Sequence, residues 1–486
     1  MVRFIIPSGI SLFLCAIQVC SSKHLIIMNK SLATFLEKSE EKAFSKEHRK
    51  RLKFNMGKYH TKVAIGKQQF ENLEQARQLA KNIKAHTINN LPDLLEAFEA
   101  KFTARGGKVI WAEDIAEAQA AITKIMEEKA AKVVVKSKSM ITEEIQLNQL
   151  LENQGIEVLE TDLGEFIVQV KGEAPYHIVT PAMHLSKEDI AALFHEKFQT
   201  APDASPEALT AYVRQILRER FTQADIGISG GNFLLADTGS MVLVENEGNG
   251  RLTTTLPKTH IAIVGIEKMI PSIEDLDLFL PLLATFGTGQ NTTVYNTILS
   301  GPKQAHEVDG PEEMYVILLD NGRSEIMADE HMRESMYCIR CGSCLNNCPV
   351  YQTIGGHTYD SPYSGPIGAV ISPHLKVGEF EDNVHLSQAS SLCGSCTESC
   401  PVNINLHQML LYNRSYEEAE NLRPKEEQLM WRAWRSAMLN RSMMNAPRFS
   451  KNLVGNLFLS KMWGERRELP KFPKHTFNQL WKKGKV

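Results

Sequence analysis

The spacing of apolar residues changes near residue 107, and the change separates two kinds of predicted structure. Before it, residues 30–105 carry apolar side chains at helical spacing among many charges, as in LEQARQLAKNIKAHTINNLPDLLEAFEAKF, which predicts helices. After it, short apolar runs alternate with helical segments, and this alternation predicts an α/β domain with a mostly parallel sheet. The predicted strands are KVIWA (108–112), KVVV (132–135), IEVLET (156–161), HIVTPA (177–182) and MYVILLD (314–320).

Helices are predicted between these strands. EDIAEAQAAITKIMEEKAA follows the first strand, and TEEIQLNQLLENQ occupies residues 142–154. SKEDIAALFHEKF opens with Ser186 and Asp189 spaced as a capping pair, which predicts the start of a helix there. The stretch 225–265 is richer in strands and turns, and a predicted helix over 272–286 precedes the last strand.

These patterns divide the chain into five regions. We expect a helical N-terminal region at 28–105, an α/β domain at 106–328, a cysteine-rich domain at 329–410 and a helical C-terminal region with a basic tail at 411–486. Residues 1–27 contain an apolar run that is short for a membrane span. Three interpretations of that segment stay open: a non-native upstream extension, a signal or anchor segment, and a folded N-terminal strand.

Composition narrows the class of protein. The chain has 486 residues, 43% of them hydrophobic and 23% charged, which is ordinary for a globular protein of two or three domains. The formal net charge of −3 gives no electrostatic reason to expect a nucleic-acid partner. Seven of the nine cysteines lie within residues 338–400, whereas a secreted disulfide protein would spread them. We therefore predict metal ligation in that segment rather than disulfides.

The first cysteine run, CIRCGSCLNNCP at 338–349, has the spacing and the Cys-Pro end of bacterial ferredoxins. Thiolates are soft ligands that suit iron–sulfur clusters. A zinc site of four thiolates is the alternative, and the unequal gaps disfavour it. The second run, SSLCGSCTESCP at 390–401, aligns with the first from its proline backwards and has Ser390 in the place of Cys338.

In two-cluster ferredoxins the last cysteine of each run ligates the other cluster. That crossover assigns Cys338, Cys341, Cys344 and Cys400 to cluster 1, and Cys348, Cys393 and Cys396 to cluster 2. Cluster 1 is expected to be [4Fe–4S], and cluster 2 is expected to be [4Fe–4S] with three cysteine ligands. A [3Fe–4S] cluster, or Ser390 as a fourth ligand, stays open for cluster 2. His357, between the runs, is expected to pack or hydrogen-bond rather than to bind metal.

The two cysteine runs, with YQTIGGHTY and YSGPIGAV between them, resemble the lactate utilization protein B family of bacterial L-lactate oxidation. VKSKSMITEEIQLNQLLE and ADIGISGGNFLLADTGSMVLVENEGNGRL carry the resemblance into the α/β domain, so that it covers about residues 60–440. Residues 1–27 have no counterpart, which favours the upstream extension. The resemblance implies an iron–sulfur protein that carries electrons and works with other lactate-utilization proteins in a multi-subunit complex.

The α/β domain also resembles the fold of sugar-phosphate isomerases, CoA transferases and folate cyclo-ligases, which bind anionic ligands at loops after strands. The candidates for such a pocket are Lys136, Lys138, Ser139, the loops 230–232 and 247–251, and Arg251 as a bidentate partner for a carboxylate. Ordinary turn chemistry is the alternative for these glycine-rich loops. GISGGN lacks the spacing of a dinucleotide-binding fingerprint, so no nicotinamide or flavin is predicted.

The favoured function is an electron-transfer component of L-lactate to pyruvate oxidation that relays electrons through two clusters to an unknown acceptor. The alternatives are an enzyme in its own right that binds a small organic acid, and a regulatory protein that senses redox state or iron. Catalytic residues are unknown. A cytoplasmic location is expected because such clusters are normally assembled in the cytosol, and contact with a membrane is not required.

Overall fold

The computed structural model of the chain describes residues 30–423, 425–446, 448–454 and 471–485. The predictions for residues 1–27 lie outside the described residues. The chain divides into two compact units, one of residues 38–412 and one that joins residues before 38 to those from 413 onward. The larger unit contains the parallel sheet and both cysteine runs.

Among the described residues, ten strands form two sheets. The strands are β1 (Lys108–Ala112), β2 (Val133–Lys136), β3 (Glu157–Glu160), β4 (Ile226–Ser229), β5 (Phe233–Leu235), β6 (Ser240–Glu245), β7 (Thr259–Gly265), β8 (Met269–Ile270), β9 (Tyr295–Leu299) and β10 (Glu313–Leu319). Six of them form one parallel sheet in the order β1-β10-β7-β4-β2-β3. This sheet confirms the predicted α/β fold class.

Helices cover both faces of the parallel sheet, which explains its continuous apolar strands. In β2, Val134 packs into one buried cluster with the helix Ile115–Glu128, and its neighbour Val135 packs into another with the helix Pro206–Gln223. The α-helices before the last strand are Lys30–Phe44, Lys46–Gly66, Leu73–Asn89, Leu91–Ala104, Ile115–Glu128, Met140–Glu144, Leu147–Asn153, Leu163–Lys171, Lys187–Phe198, Pro206–Gln223, Asn249–Thr255 and Leu276–Thr288.

The second sheet has the order β8-β5-β6-β9 and was not foreseen. Strands β5 and β6 form a tight antiparallel hairpin, and Gly239 in its turn takes a φ of 61°. Strand β8 has only two residues, and β9 alternates between half-buried and exposed positions. Neither strand carries a long apolar run, so the pattern gives little sign of them.

Several predicted elements differ in the structure. HIVTPA is a loop rather than a strand, because His177 Nδ1 accepts the backbone N–H groups of Val179 and Thr180. The helix predicted over 142–154 is broken at Gln146, whose φ of 51° separates two short helices. By contrast, the helix Lys187–Phe198 starts with the predicted capping box of Ser186 and Asp189.

The cysteine-rich region is built from short helices and turns. Arg323–Ala328 is the last helix of the α/β domain, and the helices after it are Ser343–Asn347, Tyr351–Ile354, Gly365–Ile371, Phe380–Asn383 and Ser395–Glu398, followed by the longer Leu406–Ala419. Single 3-10 turns span Lys67–Gln69, Ile266–Lys268, Ile273–Asp275, Arg333–Tyr337, His357–Tyr359 and Val384–Gln388.

The described part of the C-terminal region is helical, as predicted. Its α-helices are Lys425–Leu439, Arg441–Met444, Arg448–Val454 and Phe477–Lys482. Within this unit, Arg423 forms ion pairs with Glu417 and Glu427 at 3.2 and 3.1 Å. None of the helices that the structure describes is long and apolar enough to cross a membrane.

A fully buried ion-pair network lies at the carboxyl ends of the parallel strands. Arg323, just after β10, pairs with Glu144 after β2 at 2.7 Å and with Glu267 after β7 at 2.8 Å. Tyr363, from the segment between the cysteine runs, donates to Glu144 at 2.6 Å. The network therefore ties three strand ends to the cysteine-rich region.

We expect Glu144→Gln to destabilise the larger unit by about 3–5 kcal/mol, because it leaves the buried guanidinium of Arg323 with one carboxylate instead of two. Urea unfolding followed by circular dichroism measures the change. The matched control is Glu313→Gln, which removes half-exposed ion pairs with Lys108 and Lys129 and should cost about 0–1 kcal/mol. Equal costs for the two variants would contradict the central place given to this network.

Candidate functional site

The two cysteine runs share one backbone conformation. Arg340 and Leu392, which precede the Cys-Gly-Ser-Cys of each run, have φ values of 58° and 52°. Gly342 and Gly394 follow at 78° and 81°, a region that favours glycine, and each begins a short helix. The alignment of the runs from sequence therefore holds in the backbone at these two pairs of positions.

The same alignment places Ser390 where the first run has Cys338. Cys338 Sγ accepts a hydrogen bond from the backbone N–H of Arg340 at 3.4 Å. Ser390 Oγ accepts one from the backbone N–H of Leu392 at 3.1 Å. The serine oxygen thus occupies the position that corresponds to the first cysteine sulfur.

Two reciprocal hydrogen bonds cross the runs. Ser343 in the first run donates to the carbonyl of Ser399, the residue before Cys400, at 3.0 Å. Ser395 in the second run donates to the carbonyl of Asn347, the residue before Cys348, at 3.1 Å. Each run therefore holds the final cysteine of the other run close to its own Cys-Gly-Ser-Cys loop.

Five of the seven thiols in the two runs are buried. These are Cys341, Cys344, Cys348, Cys396 and Cys400, whereas Cys338 is intermediate and Cys393 is exposed. All seven are free thiols, as the predicted metal ligation requires.

The thiols lie close enough to repel one another. Burial raises the pKa of Cys341, and the charges of Cys338 and Cys400 raise it further. Burial likewise raises the pKa of Cys396 to about 12, and the charges of Cys348 and Cys393 add to it. The charge of Cys396 also raises the pKa of Cys344, so the repulsion connects the two runs.

Backbone N–H groups partly offset the cost of charge on one buried sulfur. Burial raises the pKa of Cys348, and N–H groups of Val350 and Tyr351 that donate to its sulfur lower it, so that the net value is about 11. Arg77 fixes the end of the second run by donating to the carbonyl of Cys400 at 2.9 Å. Buried, mutually repelling thiols with N–H donors are a donor set that fits iron–sulfur clusters, because iron binds thiolates and relieves the repulsion.

A cavity of about 420 Å³ opens at the carboxyl ends of the parallel strands and reaches the first cysteine run. Ser137, Lys138 and Ser139 line it after β2, and residues 230–232 line it after β4. A side chain at Gly230 would force Ser139 to move, because a Cβ there would lie 2.6 Å from Ser139 Oγ. The far wall of the cavity contains Arg340, Cys341 and Tyr363.

The structure sorts the candidates for an anion pocket. Lys138, Ser139, the 230–232 loop and part of the 247–251 loop line the cavity. Lys136 does not line it, because its fully buried ammonium pairs with Glu160 at 2.7 Å and Glu143 at 3.0 Å. Arg251 is exposed outside the cavity lining and stacks over Tyr295, so its expected place in the pocket is wrong.

Three cavity cations were missed by sequence reasoning, Lys268, Arg323 and Arg340, and two of them have unused donors. The signal for Arg340 was its position inside the Cys-x2-Cys spacing, where a side chain must lie close to any bound metal. Lys268 follows β7 within an otherwise apolar context and gives no signal in the sequence. Both become visible only when the strand ends and the cysteine run meet.

His357 was expected to pack or to form a hydrogen bond, and it forms one. Its Nε2 lies 2.7 Å from the carbonyl of Ala174. Its ring also contacts the rings of Tyr176 and His184, at centroid distances of 4.9 and 4.8 Å. His184 in turn pairs with Glu173 at 2.8 Å. His357 therefore contributes to an aromatic contact between the cysteine-rich region and the 173–184 loop.

Comparison with known proteins agrees with this architecture. Residues 95–319 match the LUD domain, and residues 334–404 match a 4Fe-4S dicluster domain. A lactate utilization protein B of Bacillus pumilus is 44% identical over 425 residues, which is 85% of this chain and 89% of that protein. The Bacillus subtilis protein of the same name is 47% identical over 365 residues, covering 75% of this chain and 76% of its own length.

A solved DUF162 family protein from Deinococcus radiodurans matches 47% of this chain and 98% of its own, at 18% identity. Its TM-score of 0.28 is too low to bear on the fold.

The fold and the site define an iron–sulfur protein in which a parallel α/β domain is joined to a dicluster domain. The sequence identity to these relatives extends over most of both chains and shows the family. The chain belongs to the lactate utilization protein B family.

Proposed function

We propose that this chain is the electron-carrying component of an L-lactate to pyruvate oxidation system, holding two iron–sulfur clusters that supply one-electron transfer. The reciprocal hydrogen bonds of Ser343 and Ser395 carry the proposal, since they bring two cysteine sets together in one compact region. Paired clusters suit a relay, whereas a sensor of redox state or iron needs only one labile cluster.

The proposed ligands of cluster 1 are Cys338, Cys341, Cys344 and Cys400, and those of cluster 2 are Cys348, Cys393 and Cys396. The cross-run hydrogen bonds that hold Cys400 beside the first run and Cys348 beside the second support this division. We further propose that cluster 2 is [4Fe–4S] with three cysteine ligands, because Ser390 offers a hard oxygen where the first run offers a sulfur. The proposed division of the chain stays at 28–105, 106–328, 329–410 and 411–486.

Other lactate-utilization proteins are the proposed partners. Removing a hydride equivalent from the α-carbon of lactate requires a two-electron acceptor next to that carbon. This sequence has no dinucleotide-binding fingerprint, and each cluster accepts one electron. Lactate would therefore be oxidised in the assembly or at a shared interface, with electrons passed to this chain.

One observation favours a second candidate function, an enzyme that handles a small organic acid itself. The cavity at the strand ends is continuous with Cys341, a proposed ligand of cluster 1. A substrate bound there would lie beside a redox centre without a partner protein. The lactate titration below separates this candidate from the relay.

The crossover predicts that Cys338→Ser and Cys400→Ser damage one cluster, although the residues lie in different runs. Cys348→Ser and Cys393→Ser should damage the other. Iron analysis of the anaerobically purified wild type should give about seven or eight irons, as two cubane-type sites require. Electron paramagnetic resonance of each single variant identifies the surviving cluster. If Cys338 and Cys348 proved to share a cluster, the assignment would be wrong.

Ser390→Cys should give cluster 2 a fourth thiolate, because Ser390 Oγ occupies the position of the first cysteine sulfur. Mild oxidation of the wild type should remove one iron from cluster 2 and produce a [3Fe–4S] resonance signal, and the variant should resist this loss. Ser390→Ala is the control and should behave like the wild type if the serine is not a ligand. Equal loss of iron from Ser390→Cys and wild type would contradict the proposed geometry.

L-Lactate should reduce the clusters only when the partner proteins are present. An anaerobic titration of the isolated, iron-loaded chain with L-lactate should leave its visible absorbance unchanged, and addition of the partners should bleach it. Dithionite serves as the control that the clusters are reducible. Prompt bleaching by lactate alone would overturn the relay and make this chain the dehydrogenase.

A further inference from the structure

Arg340 is a buried cation whose hydrogen bonds are largely unused. Its side chain is 9% exposed, and it reaches Glu267 only through Nη2 at 3.4 Å. Its Nε and Nη1 are buried and have no hydrogen-bond partner among the described residues. Beneath it, the Tyr363 ring lies 4.8 Å away and fixes the plane of the guanidinium.

Arg323, in the same network, differs from Arg340 because its N–H groups have hydrogen-bond acceptors. All three of its nitrogens donate, to both oxygens of Glu144, to Glu267 and to the carbonyl of Asp320, at 2.7–2.9 Å. It consumes the carboxylates that Arg340 would otherwise use. The difference between the two arginines is therefore a deficit of acceptors around Arg340.

Lys268 adds a second cation beside Arg340. It lines the cavity, and in the described part of the chain its ammonium has no hydrogen bond or ion pair. Burial lowers its pKa to about 8, and the positive charge of Arg340 contributes to this although Glu267 opposes it. The ammonium is therefore close enough to Arg340 to feel its charge.

The charges around these cations are partly matched. Glu144 and Glu267 face Arg323, Arg340 and Lys268, and the charge of Cys338 also acts on Arg340 and Lys268. The unpartnered N–H groups of Arg340 are therefore what favours an anion here, because a buried donor without an acceptor is unfavourable.

The cavity is where such an anion can enter, because Arg340 and Lys268 both line it. Arg340 Nε and Nη1 and Ser137 Oγ are buried at its wall without a partner among the described residues, so an anion reaches them only when these side chains turn toward the cavity. Asp162, Glu245 and Glu247 also line the cavity and form a separate acidic group, in which the charges of Asp162 and Glu245 act on Glu247. Lys138 pairs with Asp162.

We infer that Arg340 and Lys268 together bind the carboxylate of a small organic acid in this cavity, beside Cys341. The free Nε and Nη1 lie on different edges of the guanidinium, and each can donate a charge-assisted hydrogen bond to a carboxylate, while an ammonium adds a point charge. The inference deepens the proposed function and rests on it for the identity of the acid, a 2-hydroxy or 2-oxo acid. The binding itself requires no transfer of electrons.

The test is isothermal titration calorimetry on the full, iron-loaded chain under nitrogen, without partner proteins. L-Lactate and oxalate are the probes, and lactamide, which has lactate's shape without its charge, is the ligand control. We expect one equivalent of lactate to bind and lactamide to bind at least about tenfold more weakly, as loss of a charge-assisted hydrogen-bonded pair implies.

Arg340→Gln and Lys268→Gln should each weaken lactate and oxalate binding by at least about tenfold. The matched control is Arg251→Gln, which removes an exposed arginine outside the cavity lining and should leave the affinity unchanged. Arg340→Lys keeps the charge and loses the fork, so its affinity should fall between those of Arg340→Gln and wild type. If Arg340→Gln failed to hold iron, Lys268→Gln and Arg340→Lys would carry the test.

The competing role for these cations is to donate to cluster 1 instead of to a ligand. The reduction potential of cluster 1 in the same variants separates the two roles. A shifted potential with unchanged lactate affinity would overturn the inference, as would equal binding of lactate and lactamide. If a variant loses carboxylate binding while partner proteins still reduce its clusters, that result would support the inference and leave the proposed relay intact. Intact binding with no partner-dependent reduction in wild type would instead refute the relay alone.

Discussion

The bidentate ion pair between Arg323 and Glu144 is the interaction on which the arrangement of this protein depends. It lies where three parallel strands end, and it is completely buried. Tyr363 brings the cysteine-rich region to the same carboxylate, so the position of that region is set by a directional contact rather than by apolar packing alone. Because a buried charge without its partner is strongly unfavourable, alternative placements of the two regions are disfavoured.

The same network determines where the cavity is and what it contains. Parallel sheets place loops and helix starts at the carboxyl ends of their strands, and ligands bind there in α/β folds generally. Here the cysteine-rich region closes one side of that opening, so that Arg340 and Cys341 become part of its wall. The cavity at the strand ends of the α/β domain is therefore lined both by the loops of that domain and by the first cysteine run, the proposed binding site of cluster 1.

Sequence reasoning succeeded where one segment determines the outcome. Residues 108–112 and 314–320 contain apolar runs of strand length, and both segments form strands in the parallel sheet. The capping pair Ser186 and Asp189 acts within one helical turn. The alignment that gave Ser390 the place of Cys338 likewise depends only on local spacing, and the backbone of the two runs follows it.

Sequence reasoning failed where the structure of a segment depends on residues that are distant in the chain. HIVTPA has the composition of a strand, but His177 caps its own loop and contacts Asn346 in the first cysteine run at 3.1 Å. Lys136 looked like an anion-binding residue, yet Glu160 on the neighbouring strand neutralises it. Arg340 has unused N–H donors because Arg323 already uses the nearby carboxylates. No local sequence pattern indicates that these residues compete for the same partners.

The two cysteine runs share backbone φ values at corresponding positions but differ in their surroundings. This difference gives the proposed relay a direction. Cys341 in the first run faces the cavity, and the buried cations Arg340 and Lys268 lie beside that run. The corresponding position in the second run, Cys393, is exposed. Positive charge in a buried site stabilises added electrons, whereas water access suits exchange with a partner at the surface. In the proposed relay, the first run therefore faces the interior end of the path and the second run its exit.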